Sequence, residues 1–419
     1  MTVRARSLGR YLGENRSLVL LVLALTGLLV VSVHQSGDYQ RIGPSWVGDN
    51  GSPAIDALVG GHFHRFAHLH PWMGSFSILL RWPFAALAEA VNASDLAVYK
   101  FGAFPCLLAV GLVGLYLAEM LRERGRSPAT RMVVVAVCLV NPVTFRAIEL
   151  GHPEDLLAGA LAVAAVLVAG RGRPGWGGVL LGLAFVTKQW AIVAAAPALL
   201  VAPSHRTRLA VAGAAVALAV TLPLLVLDPH RLVTITQEAS KTQGSGPTSV
   251  WTPFTIDRKR SYFDGSRHRV ATGHVLPSAL HAVPKLLIVL APFPLALLLW
   301  RRRRVGVEDA LGLLALVLLL RCVLDPVSNG YYYAPFIFAL AGYESLRRRG
   351  PPLLTIAVAA AVWATFDLPS SRGAVTAAWV VWALPLTIFM FLELYSPHLL
   401  QARGARRRRA QIADAGTPV

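Results

Sequence analysis

The sequence predicts an all-α polytopic membrane protein of about 12 transmembrane helices, both termini cytoplasmic. Three observations predict it. The chain is 55% hydrophobic and 15% charged, with a mean hydropathy of +0.55, whereas a soluble domain carries roughly 25% charged residues. Apolar runs of roughly 17–25 residues, the length that crosses a bilayer as a helix, recur from end to end. The basic residues gather in short segments between those runs, as the positive-inside rule requires.

The same segregation explains the formal net charge of +18. Short basic loops and the tail Arg403–Arg409 account for it, so nucleic acid is not an expected partner; membrane lipids are. Cys106, Cys138 and Cys322 lie in or at the edges of apolar runs without CxxC spacing, which supports neither disulfides nor a thiolate metal site. Low Lys and high Arg, Ala and Gly suggest a GC-rich bacterial genome, and with it a plasma-membrane location.

Residues 1–16 form a basic cytoplasmic N-terminus, 17–396 a single membrane domain and 397–419 a basic cytoplasmic tail. Ser17–Val33 follows four arginines but no convincing cleavage site, so it reads as a retained first helix. It delivers a polar outer loop, about residues 34–98. Phe76–Val91 within that loop has no crossing to make and reads as an interfacial amphipathic helix, interrupted by Arg81, Trp82 and Glu89. The spans that follow are Phe101–Leu121, Met132–Ile148 and Leu156–Ala169. Trp176–Thr187 and Trp190–Ala202 meet at Lys188 as two short helices or a re-entrant pair. Leu209–Leu227 leads to a second outer loop, about 228–275. Leu276–Trp300, Ala310–Leu324, Tyr331–Tyr343, Leu353–Phe366 and Thr376–Tyr395 complete the set. All short basic loops then fall on one side, and no internal repeat suggests a transporter.

Ionisable groups near membrane depth are costly and mark function by default. On this topology they collect on the outer face. Asp49 stands in Gly48-Asp49-Asn50-Gly51-Ser52-Pro53, where a carboxylate serves as a general base or caps the following helix. Asp56 and Asp38 are the alternatives. His62, His64, His68 and His70 mix spacings of two and four, so a tetrahedral metal set is not read from them; hydrogen bonds to phosphate or sugar fit better. His152, Glu154 and Asp155 make a turn that either starts a helix or binds substrate. Lys188 interrupts an apolar hairpin, to snorkel or to neutralise a phosphate. Lys241 opens the second loop ahead of Gly244-Ser245-Gly246-Pro247, which lacks the Lys-Ser/Thr of a nucleotide loop. Arg321 and Asp325 stand four apart and suit a mutual pair, while Tyr331, Tyr332 and Tyr333 suit an aromatic belt.

This layout resembles the GT-C superfamily of membrane glycosyltransferases. Asp49, then Asp56-Ala57-Leu58, Gly60-Gly61 and His70-Pro71 look like its Asp…Ala-Leu…Gly…Pro-Pro series. Gly177–Ala184 leading to Thr187-Lys188-Gln189 is similar to the hairpin of bacterial polyprenol-phosphate-mannose-dependent transferases, and Asn329-Gly330-Tyr331-Tyr332 to their late polar-aromatic turn. The chain departs from the pattern with Asp49-Asn50 in place of an Asp-Glu pair and with Pro53 where a tyrosine is frequent, so the base stays open between Asp49 and Asp56.

The resemblance implies inverting transfer of a mannose-like sugar from a polyprenyl-phosphate donor to a hydroxyl of a lipid, glycan or protein acceptor on the outer face. Asp49 or Asp56 would be catalytic. His152, Glu154, Asp155, Lys188, Lys241, Arg321, Tyr331 and Tyr332 would bind substrate, with no metal or cofactor. The competing reading is a lipid-linked solute transporter or flippase, which would need polar residues in mid-span.

Overall fold

In the computed structural model, residues 15–36, 49, 51–69, 74–230, 234, 245–264, 267–302 and 305–397 are described. Asp38, His70, Lys241, residues 1–14 of the basic N-terminus and 398–419 of the basic tail lie outside them. The described residues are mostly helical, and six helical segments are long and apolar enough to cross a membrane: Asp95–Glu123, Pro128–Glu149, Pro153–Gly170, Arg206–Leu227, Ser278–Arg301 and Arg372–Tyr395.

The first loop carries three short helices, α2 (Gly51–Val59), α3 (Phe63–Leu69) and α4 (Ser75–Glu89), after α1 (Arg16–Ser36). A helix stands where the sequence predicts one, and α4 packs along α5 (Asp95–Glu123). Its Arg81 is no surface interruption: the side chain is fully buried.

The expected span Met132–Ile148 is two helices, α6 (Pro128–Leu139) and α7 (Pro142–Glu149), broken at Asn141-Pro142. Proline cannot donate to the ladder, and Asn141 fills the gap. Its Oδ1 accepts from Val143 N and Thr144 N, both at 3.0 Å, while its amide donates to Val137 O at 2.9 Å. Gly151, at φ 84°, then turns the chain into α8 (Pro153–Gly170).

Helix α9 (Pro174–Thr187) stops at Lys188, whose backbone is extended. A 3₁₀ turn, Gln189–Ala194, and α10 (Ala195–Val201) carry the chain back. At 1.5 Å per residue the 14 residues of α9 reach about 21 Å, short of a hydrocarbon core of about 30 Å. Gly175 lies against Arg208 at the far end of the return, so the pair is a hairpin with Lys188 at its apex. Helix α9 packs against α8 and against α11 (Arg206–Leu227). Against α11 the backbones nearly touch, because a methyl on Gly178 or Gly182 would overlap Leu209 O or Gly213 O.

From residue 245 on, the described part of the second loop is more regular than its composition suggests. Strands β1 (Ile256–Asp264) and β2 (Arg267–Val275) pair antiparallel, from Ile256 opposite Val275 to Asp264 opposite Arg267. This hairpin is an exception to the all-α expectation. Ahead of it, Gly246 N bonds Pro326 O (2.7 Å), Thr248 Oγ1 bonds Ser328 O (3.2 Å) and Trp251 Nε1 bonds Leu324 O (2.7 Å). The loop is thereby stitched across the turn at residues 324–328.

Helices α12 (Val283–Leu290), α13 (Pro292–Arg302), α14 (Val307–Leu324), α15 (Ala334–Arg347), α16 (Leu353–Asp367) and α17 (Arg372–Tyr395) complete the fold. Of the twelve expected spans, six coincide with the long apolar segments. Of the others, α1 is a 21-residue apolar helix, α14 carries Glu308, Asp309 and Arg321, and the rest are shorter helices. The basic turns gather at one end, where Arg124 pairs Glu308, Arg347 pairs Asp309 and Glu393, and Arg348 pairs Glu344. The candidate site forms at the other end.

Candidate functional site at the apex of the short hairpin

The site begins with two buried acids. Glu154 and Asp155, in the first turn of α8, are 0% and 2% exposed. A carboxylate is not held away from water without partners, and the apex lysine supplies them. Lys188 Nζ lies 3.0 Å from Glu154 Oε1 and 3.5 Å from Asp155 Oδ2. His152 Nδ1 is 3.0 Å from the same Glu154 oxygen, and Trp190 Nε1 donates to Asp155 Oδ1 at 3.0 Å.

Two arginines complete the shell, Arg321, which the sequence reading includes, and Arg81, which it does not. Arg81 Nη1 approaches Glu154 Oε2 at 3.8 Å from α4, and Arg321 Nη2 approaches Asp155 Oδ1 at 4.0 Å. Arg321 turns away from the mutual pair expected with Asp325. Its guanidinium lies over the rings of Trp190 (4.4 Å) and Tyr332 (4.6 Å), and it donates to Tyr332 O. Asp325 instead accepts from Val327 N at 3.0 Å. Burial pushes its carboxyl above the usual carboxylate range, against the pull of Arg321 and Lys285.

The tyrosines face inward rather than toward a membrane surface. Tyr331 stacks on His152 at 4.4 Å and 15°, Tyr332 stands edge-on to Tyr331, and Tyr333 is fully buried against Trp379, which donates to its hydroxyl at 2.8 Å. The structure therefore brings together His152, Glu154, Asp155, Lys188, Arg321, Tyr331 and Tyr332, drawn from four separate stretches of chain.

Asp49 joins them electrostatically. Burial raises its carboxyl above the ordinary range, opposed by His152 and Lys188 and reinforced by Glu154 and Asp155. Asp56 belongs elsewhere: it is exposed, and the charges acting on it are Arg65 and Asp95, with Glu89 nearby. Lys241 lies outside the described residues. Arg81 was missed because one arginine in an apolar run reads as an interruption; its partner, Glu154, is remote in sequence.

His152, Glu154 and Asp155 each present a ligand atom within 4.8 Å of one another, a set able to hold a metal ion. Here the Lys188 ammonium already stands against both carboxylates, so a positive charge fills that role. At the core of the site three cations (Arg81, Lys188 and Arg321) face two carboxylates (Glu154 and Asp155). With Asp49 in the same field the formal charges balance, and protonation of its raised carboxyl leaves a net positive site that favours an anion.

The family model for glycosyltransferase family 87 matches residues 74–326, more than half of the chain. The chain belongs to glycosyltransferase family 87. The matched span of this glycosyltransferase includes Arg81, His152, Glu154, Asp155, Lys188 and Arg321; Asp49 precedes it, and Tyr331 and Tyr332 follow it. No curated protein matches the chain.

Proposed function

We propose that this membrane glycosyltransferase is of the GT-C type. It moves a mannose-like sugar from a polyprenyl-phosphate donor to a hydroxyl acceptor on the outer face of a bacterial plasma membrane, with inversion. The observation that carries the reading is the location of Asp49 in the field of Lys188, His152, Glu154 and Asp155, with burial as the main cause of its raised carboxyl. A base whose acidity lies nearer the working pH transfers protons more effectively.

The step balances as follows. The Asp49 carboxylate takes the acceptor proton as the acceptor oxygen bonds to the anomeric carbon. The bond from that carbon to the phosphate oxygen breaks on the opposite face, and its electron pair leaves with the lipid phosphate. Lys188, with His152 and Arg321 beside it, meets the charge that grows on the phosphate. Glu154 and Asp155 hold the lysine in place. His152, Tyr331 and Tyr332 offer ring faces and edges to the sugar.

Membranes expressing wild type, Asp49→Asn or Asp56→Asn, supplied with radiolabelled polyprenyl-phosphate sugars, test this. The expected result is transfer by wild type and Asp56→Asn and a loss of at least about 100-fold in Asp49→Asn. Normal transfer by Asp49→Asn would overturn the base assignment. A wild type that transfers from no polyprenyl-phosphate donor, yet moves labelled lipid across the membrane, would replace the whole reading by that of a flippase.

A further inference from the structure

Outside the apex cluster, α3 carries His64 and His68 one helical turn apart. Their Nε2 atoms are 3.2 Å apart, and the rings meet at 66° with centroids 4.2 Å apart. Two nitrogens on one tetrahedral ion, each at the usual metal–nitrogen length, would be separated by about 3.3 Å. Residues four apart on a helix share a face, so the spacing and the separation agree.

The second observation comes from another element. Asp228, at the end of α11, places Oδ2 2.7 Å from Nδ1 of His68. A carboxylate there accepts a hydrogen bond from Nδ1–H and so keeps the proton on that nitrogen, which leaves the lone pair of His68 on Nε2, facing His64. This is the arrangement by which an outer carboxylate fixes the tautomer of a metal-bound histidine. The alternative, a hydrogen bond between the two imidazoles, would stand at the long end of the ordinary range at 3.2 Å. It would also contribute little where His64 is exposed and the His68 side chain is 39% exposed.

We propose that His64 and His68 bind a borderline divalent cation, with zinc as the representative. Asp228 orients His68, and solvent completes the ion's coordination. Coordination makes the Nδ1–H of His68 a stronger donor to Asp228, so an occupied site ties α3, within the first loop, more firmly to the end of α11. The site is a structural clasp, separate from the sugar-transfer chemistry.

The test uses full-length protein free of any histidine tag, purified in detergent, stripped with chelator and titrated with zinc chloride. Wild type is expected to bind one ion that His64→Ala and His68→Ala each lose. Asp228→Asn is expected to bind it about 10–100-fold more weakly. With Cu²⁺ in place of zinc, electron paramagnetic resonance should show coupling to two nitrogens in wild type and to fewer in either histidine variant. His64 is exposed, so its replacement leaves folding intact, which the thermal profile of the stripped variant checks. No zinc binding by wild type would mean the contact is a hydrogen bond only. Undiminished binding by His64→Ala would place the ion elsewhere, for example on His152, Glu154 and Asp155. Either result overturns the proposal.

Discussion

Replacing Lys188 with methionine tests the electrostatic account of the site most directly. Methionine has nearly the length of lysine and none of its charge. In the variant Glu154, fully buried, keeps His152 at 3.0 Å and Arg81 at 3.8 Å; Asp155 keeps the Trp190 N–H and Arg321 at 4.0 Å. Removing one partner of a buried ion pair costs about 3–5 kcal/mol. The remaining arginines put the expected loss near the low end, about 3 kcal/mol. Adding Glu154→Gln removes the stranded charge while its amide still reaches His152. The double variant should therefore regain about 1–3 kcal/mol over Lys188→Met, the coupling range of contacting residues. Cys106, Cys138 and Cys322 are all buried, so a thiol-reactive dye reports unfolding in detergent without further labels. The expected order of thermal midpoints is wild type, then the double variant, then Lys188→Met. A double variant melting at or below Lys188→Met would refute the idea that Lys188 and Glu154 hold one another in place.

Two further outcomes follow from the same geometry. Asp49 has its carboxyl raised by burial, so the folded state favours its protonated form. The stability it lends is full below the unfolded value and lost as pH rises through the folded one. Asp49→Asn should therefore melt slightly higher than wild type at pH 7 but not at pH 3, while transfer by wild type should fall as pH drops through a point above the ordinary carboxylate range. A variant that melts lower at pH 7 would count against this. Gly74 sits at φ 74°, where an added methyl would overlap the carbonyl of Thr187. Gly74→Ala should cost roughly 1–3 kcal/mol and lower transfer by shifting α4 against the base of Lys188, seen as a lower melting point and lower turnover.

Much of this architecture was legible in the sequence. Runs of apolar residues give the order of the helices because hydropathy is a local property. The short hairpin and its apex Lys188 were visible for the same reason, as was the ionisable turn at 152–155. Pairings between distant stretches were not legible. Nothing local to Arg81 says that it meets Glu154, and nothing local to Arg321 says that it turns toward Asp155 rather than Asp325, its neighbour one turn on. The break at Asn141 was written in an Asn-Pro pair, but an apolar run averaged over 17 residues conceals it. The β-hairpin at 256–275 was hidden by its many charges, which read as a solvated loop although the backbone pairs across it.

The near-contact of α9 with α11 bears on how variants of this chain would be interpreted. Gly178 and Gly182 have no room for a side chain, because each would strike the opposing backbone, and Gly213 stands tight against Gly178 O. A library scored by loss of function would rank all three among the indispensable positions, beside Lys188 and Glu154. A map drawn from such scores alone would spread the active centre down the shaft of the hairpin. Scoring folded yield alongside turnover would separate the two groups: the glycine variants should lose protein, and a variant such as Asp49→Asn only product.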